Sequence, residues 1–255
     1  MDDPLATDRH EIRFDRPTEP RRSPIYRTVR RWLRPVRRVL EPLWWRLTLW
    51  IDDEPRRYLR ADRAIAGFPR EGASIRPLTR PEFDAMVEVL PYHRGRWGYT
   101  SVALHQAVDL IGRRGLRTAL ELGAPIRPVI VGADVMDNVA RPELDPSVSI
   151  TIQDARRFPW PYDDGTYDLF IALQVFEHLG DHQAEAFREV RRIARNAIIS
   201  LPIEWEMSDP TDAHHRISEE RVLSWFAPVV PTRVIEGNGG RRRRLVYVFE
   251  DLDPS

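Results

Sequence analysis

The sequence predicts an α/β protein: a doubly wound, mostly parallel sheet that ends in an antiparallel strand pair, with a helical extension ahead of it. Three observations predict it. From about residue 118 onward, short apolar or β-branched runs alternate with amphipathic helical stretches, the pattern left by strand–helix–strand crossovers. The last two strand-like runs flank Gly237-Asn238-Gly239-Gly240, a hairpin-type turn that makes them antiparallel. The 255 residues suffice for one sizeable domain of this class plus an accessory segment.

Composition narrows the function classes. An apolar share of 42% with 31% charged residues fits a folded core carrying a polar tail. Lys+Arg and Asp+Glu each total 39, and every one of those bases is Arg, so overall charge gives no argument for nucleic acid. The absence of Cys excludes disulfides, thiolate zinc sites and cysteine nucleophiles. Met1-Asp2-Asp3 opens no apolar signal region, and no uncharged run approaches the roughly 18–20 residues of a membrane span. A cytoplasmic protein is expected, with peripheral membrane contact through residues 25–51 left open.

In chain order, residues 1–24 are polar and rich in Pro, Asp and Arg, the composition of a disordered tail. Residues 25–91 read as a basic, Trp-rich helical extension, and residues 92–255 as the main domain. Ile25, Val29, Leu33, Val36, Leu40, Leu43 and Leu47 recur at helical spacing among seven Arg, and Pro35 and Pro42 interrupt the helix. This segment could lie on anionic lipid, dock a partner, or cap the protein's own core. Helical pieces follow near Arg56–Ala66 and Arg80–Leu90, the second with Thr79 as N-cap ahead of Pro81 and Glu82. Tyr92–Tyr99 mixes aromatics, Arg and Gly, as either a mobile cover or a connection packed by Trp97. A helix over Ser101–Arg114 leads through Gly115 into the first strand.

Strands are then predicted at Thr118–Gly123, Val129–Asp137, Val148–Asp154, Thr166–Val175, Asn196–Ile203, Thr232–Glu236 and Arg244–Asp251. Helices are predicted at Gln183–Ala194, with Phe187, Val190 and Ile193 on one face, and at Ser218–Phe226, which opens on a cap.

Two segments carry a family resemblance. Ala119-Leu120-Glu121-Leu122-Gly123 resembles the first strand and glycine turn of class I S-adenosylmethionine-dependent methyltransferases. Gln153-Asp154-Ala155, then Phe158-Pro159-Trp160-Pro161, Asp163-Asp164-Gly165-Thr166-Tyr167-Asp168 and Val175-Phe176-Glu177-His178-Leu179 resemble the type-11, small-molecule members. The likeness covers about residues 100–250 and is dense over 118–203. It implies a Rossmann-like fold and S-adenosylmethionine as cofactor. It also implies cofactor contacts at Glu121, Gly123 and Ala124, at Asp154 and Ala155 beside the adenine, and at Gln174 where strand four ends. An acid ending strand two would accept both ribose hydroxyls, either Asp137, the first choice, or Asp134. No G-x-G-x-x-G or G-x-x-x-x-G-K is present, which argues against nicotinamide, flavin and triphosphate sites.

The glycine turn departs from the family. Gly123-Ala124-Pro125-Ile126-Arg127-Pro128 leaves little room before the next apolar run, whereas a parallel crossover needs about 10–12 residues, mostly helix. Either the second strand is only Gly132–Asp137, reached by an extended loop, or Val129–Val131 lies outside the sheet.

Methyl transfer is an in-line displacement, so the protein positions the acceptor and removes its proton where needed. His178, His214 and His215 are the candidate bases. No third ligand stands at suggestive spacing from the His pair, so no metal is expected. The expected function is methylation of an oxygen or nitrogen of a small-molecule, glycan or lipid-linked acceptor, with no nucleic-acid partner. The rival is a non-catalytic scaffold of the same fold that binds a membrane or partner through residues 25–51.

Overall fold

The computed structural model describes residues 53–69, 71–124, 126–139, 145–238 and 242–253. The expected tail at 1–24, the Arg- and Trp-rich segment 25–51 and part of the hairpin turn lie outside the described residues. Among the described residues, no helix is long and apolar enough to cross a membrane.

Among the described residues, three helices precede the sheet: α1 at Asp53–Ala66, α2 at Arg80–Val89 and α3 at Trp97–Arg114. Helix α2 starts where a capping box allows it. The Thr79 hydroxyl accepts from the Glu82 N–H, and the Glu82 carboxylate accepts from the Thr79 N–H at 2.8 Å, an arrangement worth about 1 kcal/mol. Arg76 grips the same carboxylate at 2.7 and 3.0 Å and, with the Thr79 N–H and hydroxyl, holds it down to about 2. Helix α3 begins a turn earlier than its apolar pattern predicts, because Trp97 is buried. Its ring lies 5.1 Å from that of Phe83, and its indole N–H donates to Asp62 at 2.7 Å. Tyr92–Tyr99 is thus a packed connection. The helix stops at Gly115, whose φ of 64° suits a left-handed cap.

The main sheet has seven strands in the order β5-β4-β2-β6-β7-β9-β8. They are β2 (Ala119–Leu122), β4 (Asp134–Asp137), β5 (Ile150–Ile152), β6 (Leu169–Leu173), β7 (Ala197–Pro202), β8 (Arg233–Asn238) and β9 (Arg244–Phe249). The first five are parallel, and β9 runs antiparallel to both β7 and β8. Helix α4 (Gln183–Ile193) connects β6 to β7, and α5 (Glu219–Phe226) precedes β8. Alternation along the strands sends Leu120, Phe170, Ala172, Ile199 and Tyr247 to one face, against Phe187 and Val190 of α4 and Phe226 of α5. Ala119, Ile171, Ile198 and Val246 face the other way, onto Leu104, Ala107 and Leu110 of α3. Ile65, Phe83 and Met86 join that second core, so α1 and α2 share it with the sheet.

The crossover from β2 to β4 combines both expectations. Its described residues contain no helix, and the second strand of the main sheet starts only at Asp134. Ile130–Val131 forms a separate strand, β3, antiparallel to β1 (Arg76–Pro77) outside the main sheet. Gly132 makes this detour possible. Its φ is 90°, and a Cβ there would stand 2.4 Å from the Ser74 carbonyl oxygen. Gly132→Ala therefore meets both a backbone strain and a backbone clash. It should cost on the order of 2–4 kcal/mol, read as a lowered urea midpoint with an unchanged slope. A midpoint within error of the parent would contradict this account of the crossover.

Candidate functional site

In a doubly wound sheet, ligands sit beyond the carboxyl ends of the strands, where strand order reverses. Here that edge is formed by Gly123 after β2, Asp137 ending β4, Asp154 and Ala155 after β5, and Gln174–Leu179 after β6. The loop 203–217 after β7 completes it. The reversal falls between β2 and β6.

Glu121 is 4% exposed, and its Oε2 accepts the Val129 N–H at 2.6 Å and the Ile130 N–H at 3.4 Å. Burial pushes its carboxyl up to about 8, against the pull of the two N–H groups. That oxygen ties down the crossover, a different use from receiving a cofactor ammonium. Gly123 has φ 79°, and its N–H donates to the Met136 carbonyl at 2.9 Å. A Cβ there would lie 2.9 Å from Val175 Cγ2, so the neighbour demanding a glycine is a side chain of the next motif. Ala124 is buried beside it.

The two candidate ribose acids are at opposite ends of β4. Asp137 ends the strand at the cleft edge, 7% exposed, and accepts the Val139 N–H at 3.3 Å. Asp134 begins the strand, at the far edge, and takes the Tyr167 hydroxyl at 2.9 Å. Asp134 is therefore corrected from cofactor candidate to fold residue, because the sheet's thickness in strand length separates it from the cleft. Asp154 folds back on its own turn, accepting from the Arg156 N–H at 2.9 Å and the Arg156 guanidinium at 2.8 Å. Arg156 holds its carboxyl to about 2. The Ala155 carbonyl accepts the Trp160 indole N–H at 3.1 Å. Gln174 takes a φ of 62° as β6 ends, and its side chain turns toward β7 and β9. It donates to Ser200 Oγ at 3.3 Å and accepts from Arg244 Nε at 2.9 Å. That places it on the side away from Asp137 and Asp154.

The structure brings three groups together beyond β6. Glu177 and His178 lie in a 3-10 turn, Phe176–Leu179, and His214 comes from the loop after β7. One ligand-type atom from each lies within 4.8 Å of the others. The Glu177 side chain is fully buried, and neither carboxylate oxygen has a hydrogen-bond partner. Burial pushes it up to about 8, against its own backbone N–H and the Arg244 and Arg96 charges, which favour ionisation. His214 is aimed by Asp212, whose carboxylate lies 2.7 Å from Nδ1 and also accepts the His214 backbone N–H at 2.8 Å. An ionised carboxylate can only accept, so Nδ1 carries a proton, and in the neutral ring Nε2, 3.6 Å from Glu177 Oε1, is the nitrogen with the free lone pair. Trp205 stacks on the His214 ring at 5.6 Å and 14°, and the His178 ring meets it edge-on at 4.8 Å. Although His178 is exposed on its outer side, desolvation where its ring meets the cluster, and then the neighbouring His214, hold its imidazole below its usual range.

His215 is not part of this cluster. Its Nδ1 accepts the Met207 N–H at 3.2 Å and its backbone pairs with Trp205, so it frames the loop and is corrected from candidate base. Sequence reasoning missed Arg244, which lies over the rings of Tyr99 at 4.5 Å and Trp205 at 4.4 Å. As the first residue of the predicted last strand it carried no signal of this role. Nor was Asp212 singled out, which aims His214.

Residues 121–197 match the family described as "Methyltransferase domain", of type 11. The matched stretch, β2 through the start of β7, thus carries a methyltransferase-type domain, and the cofactor that goes with it is S-adenosylmethionine. Among solved structures, the chain is similar to the N-methyltransferase NodS from Bradyrhizobium japonicum WM9 in complex with S-adenosyl-L-homocysteine. Identity is 15%, over 76% of this chain and 98% of that one, with a TM-score of 0.44. A methyltransferase from Aquifex aeolicus is 16% identical over 51% of this chain and 80% of that one, with a TM-score of 0.38. The CMeT domain of the citrinin polyketide synthase is 12% identical over 69% and 58%, with a TM-score of 0.44. No curated protein matches the chain in sequence.

The pH dependence of folding follows from Glu121. Its carboxyl ionises near its ordinary value when unfolded but only near pH 8 when folded. Between those values the folded state holds the extra proton, so stability falls as pH rises from about 4.5 to 8. Glu177 acts in the same sense. Glu121→Gln keeps an acceptor for Val129 and Ile130 and removes one ionisation. Urea unfolding at pH 5 and pH 8 should show a smaller decline than in the parent, and an equal decline would rule out the assignment.

Proposed function

We propose that the protein transfers the methyl group of S-adenosylmethionine to an oxygen or nitrogen of a small-molecule, glycan or lipid-linked acceptor that enters over the ends of β6 and β7. One observation carries this reading. At the carboxyl edge of the sheet, Asp137 and Asp154 lie on the β4–β5 side of the reversal point, and Glu177, His178 and His214 lie on the β6–β7 side. Donor-binding acids and proton-accepting groups thus flank the β2–β6 boundary.

The residues present fit the adenosine half of the cofactor. The Asp137 carboxylate would accept the ribose hydroxyls, Asp154 and Ala155 would border the adenine, and Gly123 with Ala124 would line the turn beneath. S-adenosylmethionine, when bound, supplies a methyl group on an electron-poor sulfonium. On the acceptor side, His214 Nε2 is the better-oriented proton acceptor, since Asp212 fixes its tautomer and stabilises the imidazolium that would form. His178, more exposed, faces the same space. The helix-free crossover and Val175 against Gly123 favour the rival reading of a scaffold that keeps the fold without the reaction.

Isothermal titration with S-adenosylmethionine and S-adenosylhomocysteine separates the two. Binding of either is expected, and binding of neither would favour the scaffold. Asp137→Ala should weaken that binding about tenfold or more, the loss of a charge-assisted hydrogen bond. Asp134→Ala should leave the affinity unchanged while lowering the melting temperature. The opposite pattern would reverse the assignment.

A further inference from the structure

We propose that Glu177, His178 and His214 form a binding site for one divalent transition-metal ion, of the Zn2+ or Mn2+ type. Ligands about 2.0–2.2 Å from such an ion stand roughly 3–3.5 Å apart. His214 Nε2 and Glu177 Oε1 are already 3.6 Å apart, and the whole set lies within 4.8 Å, a span that side-chain rotation of the exposed His178 can close.

Two further observations point to a ligand. First, Glu177 is fully buried with both oxygens unpartnered, and 3.6 Å from His214 is too long for a hydrogen bond. A buried carboxylate without a partner is costly, and such groups are usually paired or bound to a metal. Second, the Asp212–His214 pair has the carboxylate–histidine form that orients metal-binding imidazoles, with Nδ1–H on the carboxylate and Nε2 toward the ion. The Arg244 and Arg96 charges act on Glu177, but Arg244 donates its Nε to Gln174 and lies over the faces of Tyr99 and Trp205, and neither Arg makes a hydrogen bond to the Glu177 carboxylate.

The donor set selects the ion. Two imidazoles and one carboxylate suit Zn2+, Mn2+ or Fe2+, whereas Mg2+ and Ca2+ prefer oxygen ligands. His178 is exposed, so the set has an open side where water or an acceptor can reach the ion. With an ion bound, His214 Nε2 would be a ligand and no longer the proton acceptor of the transfer reaction proposed above; the cation would instead lower the pKa of an acceptor hydroxyl bound to it, favouring a hydroxyl over a protonated amine. The binding inference does not rest on that reaction, because uptake is read with the ion alone.

The test uses the full chain, stripped with a chelator and titrated separately with Zn2+, Mn2+, Mg2+ and Ca2+ by calorimetry. Metal content is then measured after gel filtration. One equivalent of Zn2+ or Mn2+ should bind in the micromolar range or tighter, with Mg2+ and Ca2+ at least tenfold weaker. Glu177→Gln and His214→Ala should each weaken uptake at least tenfold, while His182→Gln, at an exposed histidine outside the cluster, should not. No stoichiometric uptake by the parent, or equal uptake by all variants, overturns the proposal. A second measurement needs no variant: substoichiometric Mn2+ should broaden the imidazole proton signals of His178 and His214 and spare that of His105. Uniform broadening of all histidines would overturn it as well.

Discussion

The sheet depends on one buried carboxylate doing what a helix usually does. Parallel neighbours need a crossover, and a helix normally satisfies that crossover's own backbone groups. Between β2 and β4 there is no helix, so the loop must find partners elsewhere. Glu121 supplies them by accepting from Val129 and Ile130. The next residues pair with Arg76–Pro77, and the Leu78 N–H donates to the Val129 carbonyl at 2.8 Å. The segment ahead of the sheet therefore belongs to its fold, because the crossover has been stitched to it. Gly132 follows from that stitching, and so does the late start of β4, which brings Asp137 and not Asp134 to the cleft edge.

Glu121 and Glu177 show what decides the role of a buried acid. Both are pushed up to about 8 by burial. Glu121 meets backbone donors whose positions the chain path fixes, and this makes it structural. Glu177 meets no donor beyond its own backbone and faces the imidazole nitrogen that is left free in the neutral tautomer Asp212 selects. An unmet acceptor beside an oriented lone pair is an arrangement that folding alone does not call for. Functional chemistry is expected where local rules are broken without a local remedy.

Much of the fold was legible in the sequence because hydrophobic period and punctuation speak locally. The unbroken apolar run Leu169–Leu173, the apolar face of Gln183–Ile193 and the Thr79 cap each reflect neighbours within a few residues. The early start of α3 was not legible, since Trp97 is held by Asp62 and Phe83, distant in sequence. Nor could spacing alone choose between Asp134 and Asp137, because the choice depends on which end of β4 faces the cleft. The cluster was half legible. Glu177 and His178 lie in a motif, but His214 joins them from another strand's loop, and its partner Asp212 looked like an ordinary cap.

The motif that carried the resemblance turns out to consist largely of fold-holding residues. Asp168 accepts the backbone N–H groups of Arg117 and Thr118 at 2.8 and 3.1 Å, aligning the entries of β2 and β6. Tyr167 reaches Asp134, and Trp160 pins the Ala155 carbonyl while stacking on Phe170 at 5.9 Å. Arg192 of α4 holds the same loop through the carbonyls of Trp160 and Tyr162 at 3.0 and 2.6 Å. Such residues make a segment recognisable because each satisfies a fixed backbone group, so the motif testifies strongly to the sheet and weakly to the reaction. The chemistry proposed above is assigned instead to Glu177 at the motif's end and to a loop with little pattern of its own. Fold and reaction can therefore be read independently here: a protein could keep every residue from Asp163 to Asp168 and still differ in what it does at Glu177, His178 and His214.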